Sequence, residues 1–311
     1  MSGAALLFPG QGSQYVGMGR DLAEDDSSIR ELYERADDAL QMRLSRLCWK
    51  GPEEELRATA NAQPAIMLHS WAVWRLIAGR TGPVAAGAGH SLGELSAYLV
   101  SGAFGFEDGL RIVRERGRLM GASGAARPGT MAAVLGLDAD AVADVCERAG
   151  GRAGVVVPAN LNAAGQVVIS GDVEAVAAAG ALAREAGARR VVPLNVSGAF
   201  HSPLMGAAAE GLATALEAAA WADPSFPVVS NATAACVTDS ATARSTLIMQ
   251  LTSPVRWMDG VARIRGIGPS RWLEVGPGNV LSGLARRIDR GLRVTPVGDS
   301  PSVDAYLKGV E

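Results

Sequence analysis

VAAGAGHSLGELSAYLVSGAF (84–104) places one serine between two opposed patterns. Val84 to Ala88 is a run of small apolar residues and reads as a buried strand. Leu92, Leu95 and Leu99 then recur at helical spacing. Ser91 therefore stands at a strand-to-helix turn, with Gly89 and Gly93 on either side. Those glycines permit a strained turn and close contact of helix with strand. The start of the helix directs free N–H groups and the positive end of its dipole at whatever the hydroxyl attacks. This is the nucleophile-elbow pattern of acyl-transfer enzymes. With 38 glycines in 311 residues, the bare G-x-S-x-G string arises readily by chance. The strand before it and the helix after it give it weight; the structural alternative is a helix-capping serine.

Composition narrows the class. Hydrophobic residues make up 48% of the chain, enough for one large domain or a large one with a small companion. A net charge of −3 argues against nucleic acid as partner. Cys48, Cys146 and Cys236 are far apart, odd in number and in no C-x-x-C pair. They read as free thiols of a reducing compartment, here the cytoplasm, with no disulfide framework, zinc site or other metal. No cofactor is expected either. GPGNV (276–280) lacks both the G-x-G-x-x-G spacing and the lysine of a phosphate loop. MSGAALLFPG has no basic n-region and is not read as a signal peptide. The most apolar helix, 63–79, contains His69, Ser70 and Arg75, so no segment is expected to cross a membrane.

AALLFPG (4–10) reads as a buried strand, followed by the Gly- and Gln-rich loop GQGSQYVGMG (10–19), a common setting for a binding site. Residues 28–60 are charged and helical, with a break at Gly51-Pro52. Beyond the elbow, an amphipathic helix carries its apolar stripe on 109, 113, 116 and 120. Arg111, Arg114 and Arg118 fall off that stripe and read as solvated charges; Arg116 falls on it. A guanidinium on a core-facing stripe needs an anion or carbonyl partner, or a structural salt bridge.

Composition shifts at SGAARPG (123–129), and a regular pattern begins. GTMAAVLGL, GVVVPANLN, GQVVISG and RRVVPLNVS read as strands; DADAVADVCERAG and DVEAVAAAGALAREAGA read as helices. The order β-α-β-β-α-β is the split βαβ, ferredoxin-like unit. It is read as an insertion, residues 127–197, in an α/β core formed by 1–126 and 198–311. A helix (about 203–220), a strand FPVVSN (226–231), helices near 241–252 and 254–265, and SRWLEVGPGNVLSGLARRI (270–288) and GLRVTPV (291–297) complete the core.

A serine attacks well only with a base beside it. The chain has three histidines. His90 adjoins Ser91, where neighbouring side chains diverge, and His69 lies inside the apolar helix; both read as structural. His201, in a Gly/Ser-flanked turn, is the base by elimination. No carboxylate stands out as a third member. Glu94, Asp138 and Asp172 qualify only by position, so the sequence suggests a Ser–His dyad with the imidazole oriented by an amide or carbonyl.

FPGQGSQ (8–14), GHSLGE (89–94), RGRLM (116–120), NAAGQVVISG (162–171), GAFHS (198–202), QLTSPVRW (250–257) and LEVGPG (273–278) come in the order and spacing of the malonyl-CoA:acyl carrier protein transacylases. The chain resembles that family, and its polyketide synthase acyltransferase relatives, over nearly its whole length. The resemblance implies an α/β-hydrolase-like core with a ferredoxin-like subdomain. It implies Ser91 as nucleophile, His201 as base and the backbone carbonyl of Gln250 as the group holding that histidine. Backbone N–H groups of Gln11 and Leu92 are implied as the oxyanion hole, and Arg116 as the partner of the malonyl carboxylate. The implied partners are malonyl-CoA and an acyl carrier protein, discrete or part of a polyketide synthase, in fatty-acid or polyketide synthesis. One departure is Ala62-Gln63-Pro64, where the family often has Thr-Gln-Pro. Phe200, before His201, goes with malonyl rather than methylmalonyl in the polyketide relatives. The alternative for the same serine and histidine is a thioesterase or acyl hydrolase, which needs no Arg116. Arg286, Arg287, Arg290 and Arg293 cluster in sequence as a candidate docking patch for an acidic carrier.

Overall fold

The computed structural model describes residues 3–151 and 153–309. Its strands are β1 (Ala4–Phe8), β2 (Val84–Gly89), β3 (Gly129–Leu135), β4 (Val156–Ala163), β5 (Gln166–Asp172), β6 (Arg190–Pro193), β7 (Val228–Val229), β8 (Cys236–Val237), β9 (Arg271–Val275) and β10 (Val294–Val297). Among the described residues they form two sheets. The larger has the order β10-β9-β1-β2-β7-β8 and is parallel except for the β7–β8 pair.

β1 lies at the centre of that sheet and is buried along its whole length. Its residues alternate between two cores, as a period of two requires. Leu6 and Phe8 join the side that holds Leu68, Val73, Leu95 and Leu99. Ala5 and Leu7 join the other side, with Trp257, Val261, Ile264 and Leu281. Helices thus cover both faces, which is the condition under which a parallel sheet is stable.

The second sheet has the order β4-β5-β3-β6 and is antiparallel throughout. With helices Ala139–Ala149 and Val173–Glu185 it is the ferredoxin-like unit expected from the pattern. Val134, Val167 and Ile169 face those helices in a separate core. Met131 and Val168 point the other way, into the main core. Backbone bonds tie β4 to the main body: Leu161 N–H to the Val255 carbonyl (2.9 Å) and Val255 N–H to the Ala159 carbonyl (2.8 Å). The sheet therefore stands over the end of β2 that carries the elbow.

Several local expectations change. The helix expected from 203 begins as a 3₁₀ turn, Pro203–Met205, and becomes α-helical over Gly206–Glu217. The strand expected over 226–231 is only β7, two residues long. Arg114 is not a free surface charge: it donates to the Ala60 carbonyl (2.7 Å). Pro64, inside helix Thr59–Thr81, has no N–H to offer that carbonyl, and Arg114 takes its place. At the GPGNV turn, the Glu274 carboxylate accepts from Leu281 N–H (2.9 Å), Ser282 N–H (2.7 Å) and Ser282 Oγ (2.6 Å). A carboxylate of the chain itself thus occupies the helix N-terminus where a phosphate loop would bind its ligand.

Candidate active site

β2 ends at Gly89, and helix Leu92–Val100 begins just past Ser91. A Cβ on Gly89 would overlap the backbone of Gly93, and one on Gly93 would overlap the Phe8 carbonyl of β1. The glycines are therefore required by contact. Ser91 itself has φ 52° and ψ −104°, a conformation that costs a residue with a side chain about 1–3 kcal/mol. Its neighbours hold it there. Ser91 N–H donates to Asn231 Oδ1 (2.7 Å), and its carbonyl accepts from Gln250 Nε2 (3.1 Å) and Glu94 N–H (3.1 Å).

The Ser91 hydroxyl meets two side chains. His201 Nε2 lies 2.8 Å from Ser91 Oγ, and His201 Nδ1 lies 2.9 Å from the Gln250 carbonyl oxygen. A carbonyl can only accept, so Nδ1 carries the proton and Nε2 turns its lone pair to the serine O–H. Burial first, and then the Arg116 charge, push the imidazole down to about 3, so it is neutral near pH 7.

Arg116 is 1% exposed. Its Nη2 donates to Ser91 Oγ (3.0 Å) and Gln250 Oε1 (2.8 Å), and its Nη1 donates to Gln63 Oε1 (2.7 Å). Its Nε–H is buried without a partner. Every contact is to a neutral oxygen, and burial pulls the guanidinium down to about 10. The nearest balancing charge, Glu94, is reached through Gln250, whose Nε2 donates to Glu94 Oε2 (2.6 Å). Glu94 is fully buried and also accepts from Asn231 N–H (2.9 Å). Burial lifts its carboxyl to about 7.

A cavity of about 120 Å³ opens on this group. Ser91, His201, Arg116, Gln11 and Leu92 line it together, with Phe200 beside the imidazole. Leu92 is the first residue of its helix, so its N–H stands outside the i→i−4 ladder. Gln11 lies in the turn after β1, its Nε2 donating to Thr59 Oγ1 (3.2 Å). Gln250 meets His201 by its backbone and Arg116 by its side chain.

The three carboxylates open as triad members have other partners. Asp138 caps its own helix, Asp172 pairs with Arg127, and Glu94 bonds Asn231 and Gln250. His69 Nε2 lies 2.7 Å from the Gly298 carbonyl, away from the site. His90 lines the cavity, with Nε2 2.8 Å from Asn162 Oδ1. Gln63, Asn231 and Asn162 were not singled out from the sequence. Neutral amides carry no off-pattern charge to mark them, although Gln63 sits on the departure at 62–64. A second, larger cleft of about 840 Å³ runs between the β4–β5 turn and helix Val280–Ile288, and Arg189, Arg286, Arg287, Arg290 and Arg293 line it.

A strained serine at the end of a parallel sheet, with an imidazole and a buried guanidinium on its hydroxyl, defines an α/β acyl-transfer enzyme. The chain belongs to the acyl transferase domain family, whose pattern matches residues 5–304. It is 43% identical over 310 residues to the malonyl CoA-acyl carrier protein transacylase of Bacillus subtilis, covering 99% of this chain and 97% of that protein. Against the Escherichia coli K12 protein of the same name it is 40% identical over 309 residues, covering 99% and 100%. The crystal structure of malonyl-CoA:acyl carrier protein transacylase from Xanthomonas oryzae superposes with a TM-score of 0.95 at 43% identity, covering 99% and 98%. A malonyl-transacylase in complex with a type II polyketide synthase acyl-carrier protein gives 0.94 at 40% identity, covering 99% and 100%.

Proposed function

We propose that the protein transfers the malonyl group of malonyl-CoA to the phosphopantetheine thiol of an acyl carrier protein, through a malonyl ester on Ser91. The observation that carries this reading is the contact of Arg116 with the serine it serves, 3.0 Å from Nη2 to Oγ in a buried site. A diacid with one methylene reaches from the serine ester to that guanidinium, and the unpartnered Nε–H is a donor left for its carboxylate. The relatives named above carry this activity in their names. A hydrolase of neutral acyl groups does not require such a cation.

His201 Nε2 takes the Ser91 proton as Oγ attacks the thioester carbonyl. The oxyanion forms against the Gln11 and Leu92 backbone amides, each worth about 3 kcal/mol in the transition state. The intermediate collapses, the C–S bond breaks, and the imidazolium returns the proton to the departing CoA thiolate. The carrier thiol then gives its proton to His201 and attacks the ester. A second tetrahedral intermediate expels Ser91, which recovers its proton. Gln250 keeps the imidazole in the Nδ1–H tautomer through both halves. Holding the carboxylate on Arg116 fixes the ester in one pose and helps exclude water.

The division into a core of 1–126 and 198–311 and a subdomain of 127–197 belongs to the same proposal. The separate core behind the second sheet supports it; residues 1, 2, 310 and 311 lie outside the described part. Cytoplasmic location is supported by the free cysteines, two of them buried. No described helix is long and apolar enough to cross a membrane.

The test is incubation with radiolabelled malonyl-CoA, followed by holo carrier protein. Label is expected on the Ser91 peptide first and on the carrier thiol afterwards. Free malonate as the main product would support a hydrolase, and label on another residue would overturn the assignment of Ser91.

A further inference from the structure

Among the described residues, Glu94 is the one fully buried carboxylate beside the reacting group that the mechanism above leaves unused. It does not line the cavity and touches neither Ser91 Oγ nor His201 through its side chain. We propose that Glu94 is a positioning residue for acyl-group selection, which fixes the Gln250 amide so that its oxygen, not its NH₂, faces Arg116.

The Gln250 side chain lies between two unlike surroundings. On one side stand Glu94 Oε2 (2.6 Å) and the Ser91 carbonyl (3.1 Å), both able only to accept when the carboxyl is ionised. On the other stands Arg116 Nη2 (2.8 Å), able only to donate. Turning the amide over would set donor against donor and acceptor against acceptor. The carboxylate makes the strong bond, so it selects the orientation that leaves an oxygen for the guanidinium. With Nη2 on Gln250 and Nη1 on Gln63, the plane of the guanidinium is fixed relative to Ser91. The same Glu94 oxygen accepts from Asn231 N–H, and Asn231 holds the Ser91 N–H (2.7 Å) and the Gly89 carbonyl (2.8 Å). One buried oxygen therefore registers the selecting cation and the nucleophile to the same point. Its other oxygen has no partner, which is why an amide of the same shape can replace the carboxyl.

This inference rests on the reading of Arg116 given above, and the experiment separates the two. It compares kcat/KM for malonyl-CoA and acetyl-CoA in wild type, Glu94→Gln, Glu94→Leu, Arg116→Ala and the Glu94→Leu/Arg116→Ala pair, with melting curves for each. Glu94→Leu deletes the acceptor and is expected to lower malonyl transfer about tenfold to a hundredfold more than acetyl transfer, which loses only the hold on Asn231 and Ser91, with the excess appearing mainly in KM. Glu94→Gln keeps an oxygen for Gln250 and is expected to preserve the malonyl-to-acetyl ratio within a few-fold. In the Arg116→Ala background, Glu94→Leu is expected to leave the ratio where it stands. Should Glu94→Leu fail to fold, Gln250→Met cuts the same connection while keeping the carbonyl for His201, and the same loss of ratio is expected. Equal falls for both substrates, or a further shift of the ratio without Arg116, would overturn the positioning role alone. An unchanged ratio in Arg116→Ala would overturn the reading of Arg116 and this inference with it.

Discussion

Burying a guanidinium against neutral oxygens is expensive, and Arg116 has no carboxylate in contact. On the proposed reading, the malonyl carboxylate is the missing anion. Arg116→Ala leaves the malonyl carboxylate unpaired, at a cost of about 2–5 kcal/mol, or roughly thirtyfold to several-thousandfold in kcat/KM. Acetyl-CoA, which has no such group, is expected to lose little, so the enzyme moves toward neutral acyl groups. Arg116→Lys is expected to rescue only in part, because one ammonium cannot form the planar fork. Equal losses for malonyl-CoA and acetyl-CoA would make Arg116 structural. Phe200 bears on the other end of the acyl group. It is 6% exposed and shares the small cavity with Ser91 and His201, where it is expected to crowd a methyl on the α-carbon. Malonyl-CoA is therefore expected to be used well over methylmalonyl-CoA, and comparable kcat/KM values for the two would count against this. Arg116 was legible because a charge interrupts an apolar stripe, and His201 because the other two histidines had structural settings. Gln63 and Asn231, which hold Arg116 and Ser91 in place, left no such mark. An amide among apolar residues looks the same in sequence whether it bonds a functional group or a loop.

The strand, turn and helix from β2 to Val100 work as one piece because nothing separates the helix from β1. Gly93→Ala sets a methyl into the Phe8 carbonyl, which is backbone and cannot step aside. Helix and strand must part, at a cost of about 1–3 kcal/mol or more, and Ser91 moves with them. Gly121, inside helix Phe106–Ala126, has open space where its Cβ would be. Gly121→Ala is expected to stabilise by roughly 0.5–1 kcal/mol through helix propensity. Melting temperatures and acyl-enzyme yield for the two variants check the contrast; a silent Gly93→Ala would mean the contact gives easily. Long, strongly patterned elements were readable in advance, including the whole β-α-β-β-α-β run. Short ones were not. β7 and β8 have two residues each, too few to show a period, and depend on neighbours brought by the sheet. The bond from Arg114 to Ala60 was hidden for another reason. It answers a backbone defect made by Pro64, fifty residues away in sequence terms and adjacent only in the fold.

Protonation and association are properties of the whole molecule. Burial lowers His90, and it lowers His69 to about 4 and His201 to about 3, against an unfolded value near 6.5. Between those values the unfolded chain binds more protons, so the stability they contribute is present above about pH 6.5 and lost on acidification. Glu94, raised to about 7, acts in the opposite sense: its contribution is present below about 4.5 and lost as pH rises through about 7. His69 and His201, each lowered by more than two units, together with His90 outweigh the raised carboxyls of Glu94 and Glu274, so the melting temperature is expected to fall from pH 6.5 to 5. A flat or rising melting temperature over that range would refute the balance. For association, the arginines of the large cleft are the candidate docking patch. The chain is slightly acidic overall, so attraction for an acidic carrier protein must be local. Arg189, Arg286, Arg287, Arg290 and Arg293 converge on one cleft from helix Val280–Ile288, the loop after it and the loop before β6. Arg287 is anchored to Gln166 Oε1 (2.6 Å), at the turn of the hairpin whose strand β4 carries Asn160 into the catalytic cavity. The cleft and the cavity thus share one hairpin. Replacing Arg286, Arg290 and Arg293 together with alanine is expected to raise KM for the carrier protein several-fold and flatten its dependence on salt, because surface pairs are individually weak and screened. Acyl-enzyme formation from malonyl-CoA, measured without carrier, is expected to persist. If KM for the carrier and its salt slope stay as in wild type, the carrier docks elsewhere; if the first half-reaction falls equally, the arginines serve the CoA phosphates instead.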